Sequence, residues 1–90
     1  MDQEGNPGFS IIEEPFYTQN FARLVRDPVL RDDIQLIFER DVIRDPYIFE
    51  EISFTKYRAV TIACLPPLTI YFRIDAEDKI IYLSDVQRIP

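Results

Sequence analysis

The stretch Leu68-Thr69-Ile70-Tyr71-Phe72-Arg73-Ile74-Asp75 decides the fold. Leu68, Ile70, Phe72 and Ile74 alternate with Thr69, Tyr71, Arg73 and Asp75; residues two apart in a strand share a face, so one side is apolar and the other polar. Downstream, Asp75-Ala76-Glu77-Asp78 is a polar loop of hairpin length, and Lys79 to Ser84 is again β-branched and aromatic. Upstream, Ser53 to Ala63 is rich in Thr, Tyr, Val and Ile, and Cys64-Leu65-Pro66-Pro67 reads as a proline-stiffened connection. Short connections between consecutive strands predict a three-stranded antiparallel meander.

The apolar row of that meander needs a cover, and the first half of the chain supplies two amphipathic helices. Tyr17, Phe21, Leu24 and Val25 fall at i, i+4, i+7 and i+8, predicting a helix over about 15–26, with Pro15 in its first turn and Glu13 and Glu14 at its positive end. Asp27-Pro28 restarts the pattern, and Leu30, Ile34, Ile37 and Phe38 predict a second helix over about 28–42. The same Arg-Asp-Pro tripeptide returns at Arg44-Asp45-Pro46, which we read as a second use of one capping device rather than a duplication, opening a short helical turn over 46–51. Before the helices, Phe9-Ser10-Ile11-Ile12-Glu13 alternates and forms a first short strand, ended by Glu14-Pro15. The expected architecture is α+β in the order β-α-α-β-β-β, a curved antiparallel sheet with a helical hairpin packed on one face.

A chain of 90 residues holds one hydrophobic core, so residues 9–90 are expected to form a single domain behind a flexible leader, 1–8, that contains both glycines. Apolar residues at 47% and charged residues at 29% fit a packed globule and not a disordered chain. The longest uncharged stretch, Ala59 to Phe72, is interrupted by Pro66-Pro67, and no charged-then-apolar leader opens the chain; a soluble, cytoplasmic protein with no membrane partner is expected. With no histidine and one cysteine, zinc of the usual ligand types is excluded, and no glycine-rich phosphate loop points to a nucleotide, so no metal and no cofactor are expected. Cys64, without a histidine to activate it, reads as a small buried hydrophobe. Asp32-Asp33 and Glu50-Glu51 sit at adjacent helical positions that diverge, which suits a solvated surface and not paired acid–base chemistry.

Ten Lys and Arg against sixteen Asp and Glu give a net charge of −6, which disfavours sequence-independent binding to phosphate backbones. The imbalance lies in residues 1–52, with five arginines against twelve carboxylates; residues 53–90 carry five cations against four. The two halves can therefore meet different partners. One reading of the acidic half is a non-catalytic inhibitor or immunity-like protein that meets a basic partner, whose binding would weaken with salt and survive Arg58→Ala and Arg73→Ala.

The segments Lys56-Tyr57-Arg58-Ala59-Val60, Leu68 to Asp75 and Lys79-Ile80-Ile81-Tyr82-Leu83, in this element order, resemble the RelE/ParE-like toxins of bacterial type II toxin–antitoxin modules over roughly Phe9 to Ile89. The resemblance implies a growth-inhibiting toxin that binds a macromolecular target and is neutralised by a cognate antitoxin. It offers two activities: gyrase inhibition, or ribosome-dependent mRNA cleavage by an endoribonuclease. Cleavage through a 2′-hydroxyl needs a base, a proton donor and cations around the phosphorane. The residues standing nearest to that pattern are Lys56, Arg58, Arg73 and Arg88. The pattern's Arg at the start of the third strand is replaced by Leu68, and no tyrosine follows Arg88 before Pro90. Those two departures turn the expectation towards a non-nucleolytic toxin whose target is DNA gyrase or another protein, with ribosome and mRNA as the alternative and a homodimer left open.

Arg73 and Tyr71 point away from the helices by alternation, while Lys56 and Arg58 share a face of the preceding strand. If strand register brings these faces together, Lys56, Arg58, Tyr71, Arg73 and Tyr82 form a cationic and aromatic partner-binding patch. The competing reading is an ordinary polar sheet face on which Arg73 pairs with Asp75 or Glu77.

Overall fold

The computed structural model describes residues 8–63 and 67–89. Residues 1–7 of the expected leader, 1–8, lie outside the described residues, as do Cys64, Leu65 and Pro66 of the proline-stiffened connection and Pro90. Strand β1 (Ser10–Glu13) leads into helices α1 (Pro15–Leu24) and α2 (Pro28–Arg44), then a single 3-10 turn (Pro46–Ile48), and strands β2 (Tyr57–Ile62), β3 (Leu68–Asp75) and β4 (Ile80–Arg88). This is the expected β-α-α-β-β-β order. The sheet runs β1-β4-β3-β2, with β2, β3 and β4 antiparallel as predicted. β1 adds to β4 in parallel, Ser10 beside Ile80 and Glu13 beside Leu83, so the sheet is mixed at that edge.

Local chemistry sets the element ends. Pro15 fits the first position of α1, where a missing N–H costs nothing. Asp27 caps α2 by accepting the Val29 N–H at 3.0 Å. The second Arg-Asp-Pro behaves differently: Asp45 makes no side-chain cap, and only the turn Pro46–Ile48 follows instead of 46–51. At the β3–β4 hairpin the Asp75 carboxylate accepts the N–H groups of Glu77 and Asp78, both at 3.1 Å, closing the loop.

Leu68, Ile70 and Phe72 are completely buried, beside Ile81, Leu83 and Val86 of β4. Tyr17, Phe21 and Val25 from the α1 region and Ile34, Phe38 and Val42 from α2 complete the core, with Phe38 and Phe49 both edge-on to the Phe72 ring. Further details depart from expectation, among them the start of β2 at Tyr57 and not Ser53. Ile37 is 42% exposed, and Val42, one turn beyond Phe38, fills the core instead. β4 runs to Arg88 and not Ser84, because a bulge between the pairs Tyr71–Asp85 and Phe72–Leu83 inserts one residue. The bulge moves the buried parity from Ile81 and Leu83 to Val86, which is why simple alternation stops at Ser84.

Tyr17 ties α1 to α2. Its hydroxyl donates to Gln35 Oε1 at 2.9 Å, and Gln35 in turn donates to Glu39 at 2.8 Å. Burial, reinforced by the Glu13 and Glu39 carboxylates, pushes the Tyr17 phenol above its usual range. No described helix is long and apolar enough to cross a membrane.

Candidate docking face of the sheet

Directly opposed residues in neighbouring strands share a face, so the register assigns each predicted residue its side. Tyr57 of β2 pairs with Arg73 of β3, Arg73 with Tyr82 of β4, and Tyr82 with Ile12 of β1. Tyr57, Arg73, Tyr82 and Ile12 thus form one row across all four strands, on the face opposite the helices. Tyr71 lies one step along, between Ala59 and Asp85.

Arg73 is fixed within this row. Its guanidinium lies 4.0 Å from the centroid of the Tyr82 ring and 3.6 Å from the Glu14 carboxylate. Glu14 is itself held by the Ser84 hydroxyl, which donates to it at 2.7 Å. The expected pairing of Arg73 with Asp75 or Glu77 is therefore replaced by Glu14, a residue 59 positions away at the β1–α1 junction. The other Asp75 role is local, in the hairpin turn. A planar cation between an aromatic face and a carboxylate is preorganised, and the Arg73 side chain as a whole stays about a third exposed.

The other cations are elsewhere. Arg58 pairs with buried Phe72 and so points to the helix side, where it donates to the Phe49 carbonyl and stands 5.4 Å from the Tyr47 ring centroid. It braces the segment after α2 and is not part of the open face. Lys56 is exposed in the bend before β2. Arg88 pairs with Leu68 at the opposite end of β3, five residues or about 17 Å from Arg73 along the strand. Of the five residues expected in the patch, the structure brings together Arg73, Tyr82 and Tyr71. Tyr57, Ile12 and Glu14 join them; Tyr57 was visible as the alternate of Arg58, whereas nothing in the sequence pointed to Glu14. Among the described residues no three His, Cys, Asp or Glu side chains converge as a metal site would require.

This architecture has solved counterparts. A chain of the RelBE2 toxin–antitoxin complex from Mycobacterium tuberculosis superposes with a TM-score of 0.70 at 13% identity, covering 91% of this chain and 99% of the other. The fold is that of the RelE toxins. The intact E. coli RelBE toxin–antitoxin complex gives 0.70 at 7% identity, covering 91% and 98%, and a mutant of E. coli toxin RelE in the free state gives 0.71 at 7%, covering 90% and 83%. No protein-family model and no curated protein matches the sequence. At these identities the likeness lies in the RelE backbone plan, and the side chains on its open face are this chain's own.

Proposed function

We propose that this protein is the toxin component of a type II toxin–antitoxin pair that acts by docking the open face of its sheet on a macromolecular target, and that a cognate antitoxin neutralises it. The RelE fold supports the toxin assignment. The observation that carries the mode of action is the Tyr57–Arg73–Tyr82 row, a rigid aromatic and cationic surface of the composition that anchors protein interfaces.

RNA cleavage draws less support. Its cations must surround one phosphate, yet Arg58 faces the helices and Arg88 stands at the other end of β3 from Arg73. A net charge of −6 adds a general repulsion of nucleic acid. A protein target such as gyrase accords with both features.

Induction of the chain in bacteria, alone and together with its neighbouring open reading frame, tests the proposal. Growth arrest relieved by the neighbour, with mRNA 5′ ends unchanged on primer extension, is the expected result. Normal growth with soluble protein present would overturn the toxin assignment, and in-frame cuts would replace docking with ribosome-dependent cleavage.

A further inference from the structure

Helix α2 is apolar on two sides. Ile34, Phe38 and Val42 face the core, while Val29 and Leu36 on the far side are each 67% exposed. Leu36 stands about 200° around the axis from Ile34. Val29, Asp33, Leu36, Arg40 and half-buried Ile43 recur at intervals of four, three, four and three residues, the spacing of a helix–helix seam. The order along the seam is apolar, acidic, apolar, basic, apolar, and it reads as its own complement when reversed.

We propose that this outer face of α2 is an isologous interface, and that its partner is a second copy of the same chain, packed antiparallel about a two-fold axis at Leu36. In that register Leu36 meets Leu36 of the second copy once, on the axis, while Val29 meets Ile43 and Asp33 meets Arg40, each of these two pairings occurring twice. Parallel packing sets Asp33 against Asp33 and Arg40 against Arg40, so like charges oppose it and select the antiparallel arrangement. Among the described residues Arg40 forms an ion pair with its neighbour Asp41, at 3.3 Å with both side chains more than half exposed, a weak contact that a partner across the seam can replace. Glu39 on the flank is occupied by Gln35. A partner other than this chain would have to carry the mirrored pattern; the second copy already does. The face is remote from the sheet row, so the proposal stands whether or not the chain is a toxin.

Sedimentation equilibrium of the purified full-length protein over a concentration series tests it. Concentration-dependent dimers are expected, with dissociation constants raised about tenfold or more by Leu36→Asp and by either Asp33→Arg or Arg40→Asp. The combined Asp33→Arg/Arg40→Asp swap exchanges the charges and should restore association to within about threefold of the original. All four variants change exposed positions, and circular dichroism verifies that they fold. A monomer up to about millimolar concentration, a dimer indifferent to Leu36→Asp, or a double swap no better than the single ones would each overturn the proposal.

Discussion

Arg73→Met removes the guanidinium from the Tyr82 ring and the Glu14 carboxylate while keeping an aliphatic stem over the same surface. Two interactions are lost. The cation–π contact, at 4.0 Å and partly shielded, is worth roughly 0.5–1 kcal/mol. The Glu14 pair, at 3.6 Å with both side chains about a third exposed, adds between about 0 and 1 kcal/mol after solvent screening. The expected loss is therefore about 1 kcal/mol, equivalent to roughly 5 °C in Tm for a domain of this size. A double-mutant cycle in urea, combining Arg73→Met with Tyr82→Leu, isolates the ring contact; a coupling of about 0.5–1 kcal/mol is expected. Salt separates the two interactions. At about 1 M ionic strength the Debye length falls to roughly 3 Å, so the Arg73–Glu14 coupling should fade while the Arg73–Tyr82 coupling persists. Strict additivity of Arg73→Met and Tyr82→Leu within about 0.3 kcal/mol would refute the preorganised row. The small total also matters for function: about 1 kcal/mol out of a typical 5–15 leaves the variant folded, so any loss of activity reports on the surface and not on unfolding.

Arg58→Ala should behave oppositely, costing about 1.5–3 kcal/mol in urea denaturation because the Phe49 carbonyl loses a charged donor, with little effect on growth inhibition per folded molecule. Tyr17→Phe should lose about 1 kcal/mol at neutral pH from the bond to Gln35. It should also flatten the alkaline limb of stability: with the folded phenol raised, the unfolded chain releases its proton first, and wild-type stability falls above about pH 10 by up to roughly 1.4 kcal/mol per pH unit. Asp27→Ala removes the α2 cap and should cost roughly 0.5–2 kcal/mol in thermal melts, whereas Asp45→Ala, which removes no cap bond, should cost much less.

The periodicities of 15–25 and 68–75 were fully legible, because each segment has a single apolar face against one layer. Residues 28–44 were harder: α2 is apolar on both sides, so the pattern admitted Ile37 to the core where the structure seats Val42. The parallel addition of β1 left no trace, since four residues with mostly exposed side chains carry too little alternation to specify a neighbour. The bulge at Ser84–Asp85 hid the second half of β4 by switching its buried parity. For the candidate face, the composition of β3 was readable but its register with β2 was not. A slip of one residue exchanges Arg58 for Tyr57 on the open side, and only the pairing Tyr57–Arg73 decides between them. Glu14 became part of the site through tertiary proximity, with no local signature.

The central claim is that a single face, opposite the helices, confers the biological effect. Its most direct measurement compares growth after induction of the wild-type chain and of the Arg73→Met/Tyr82→Leu variant at matched soluble levels. The proposed function predicts arrest for the wild type and near-normal growth for the variant; equal arrest by both would contradict the claim.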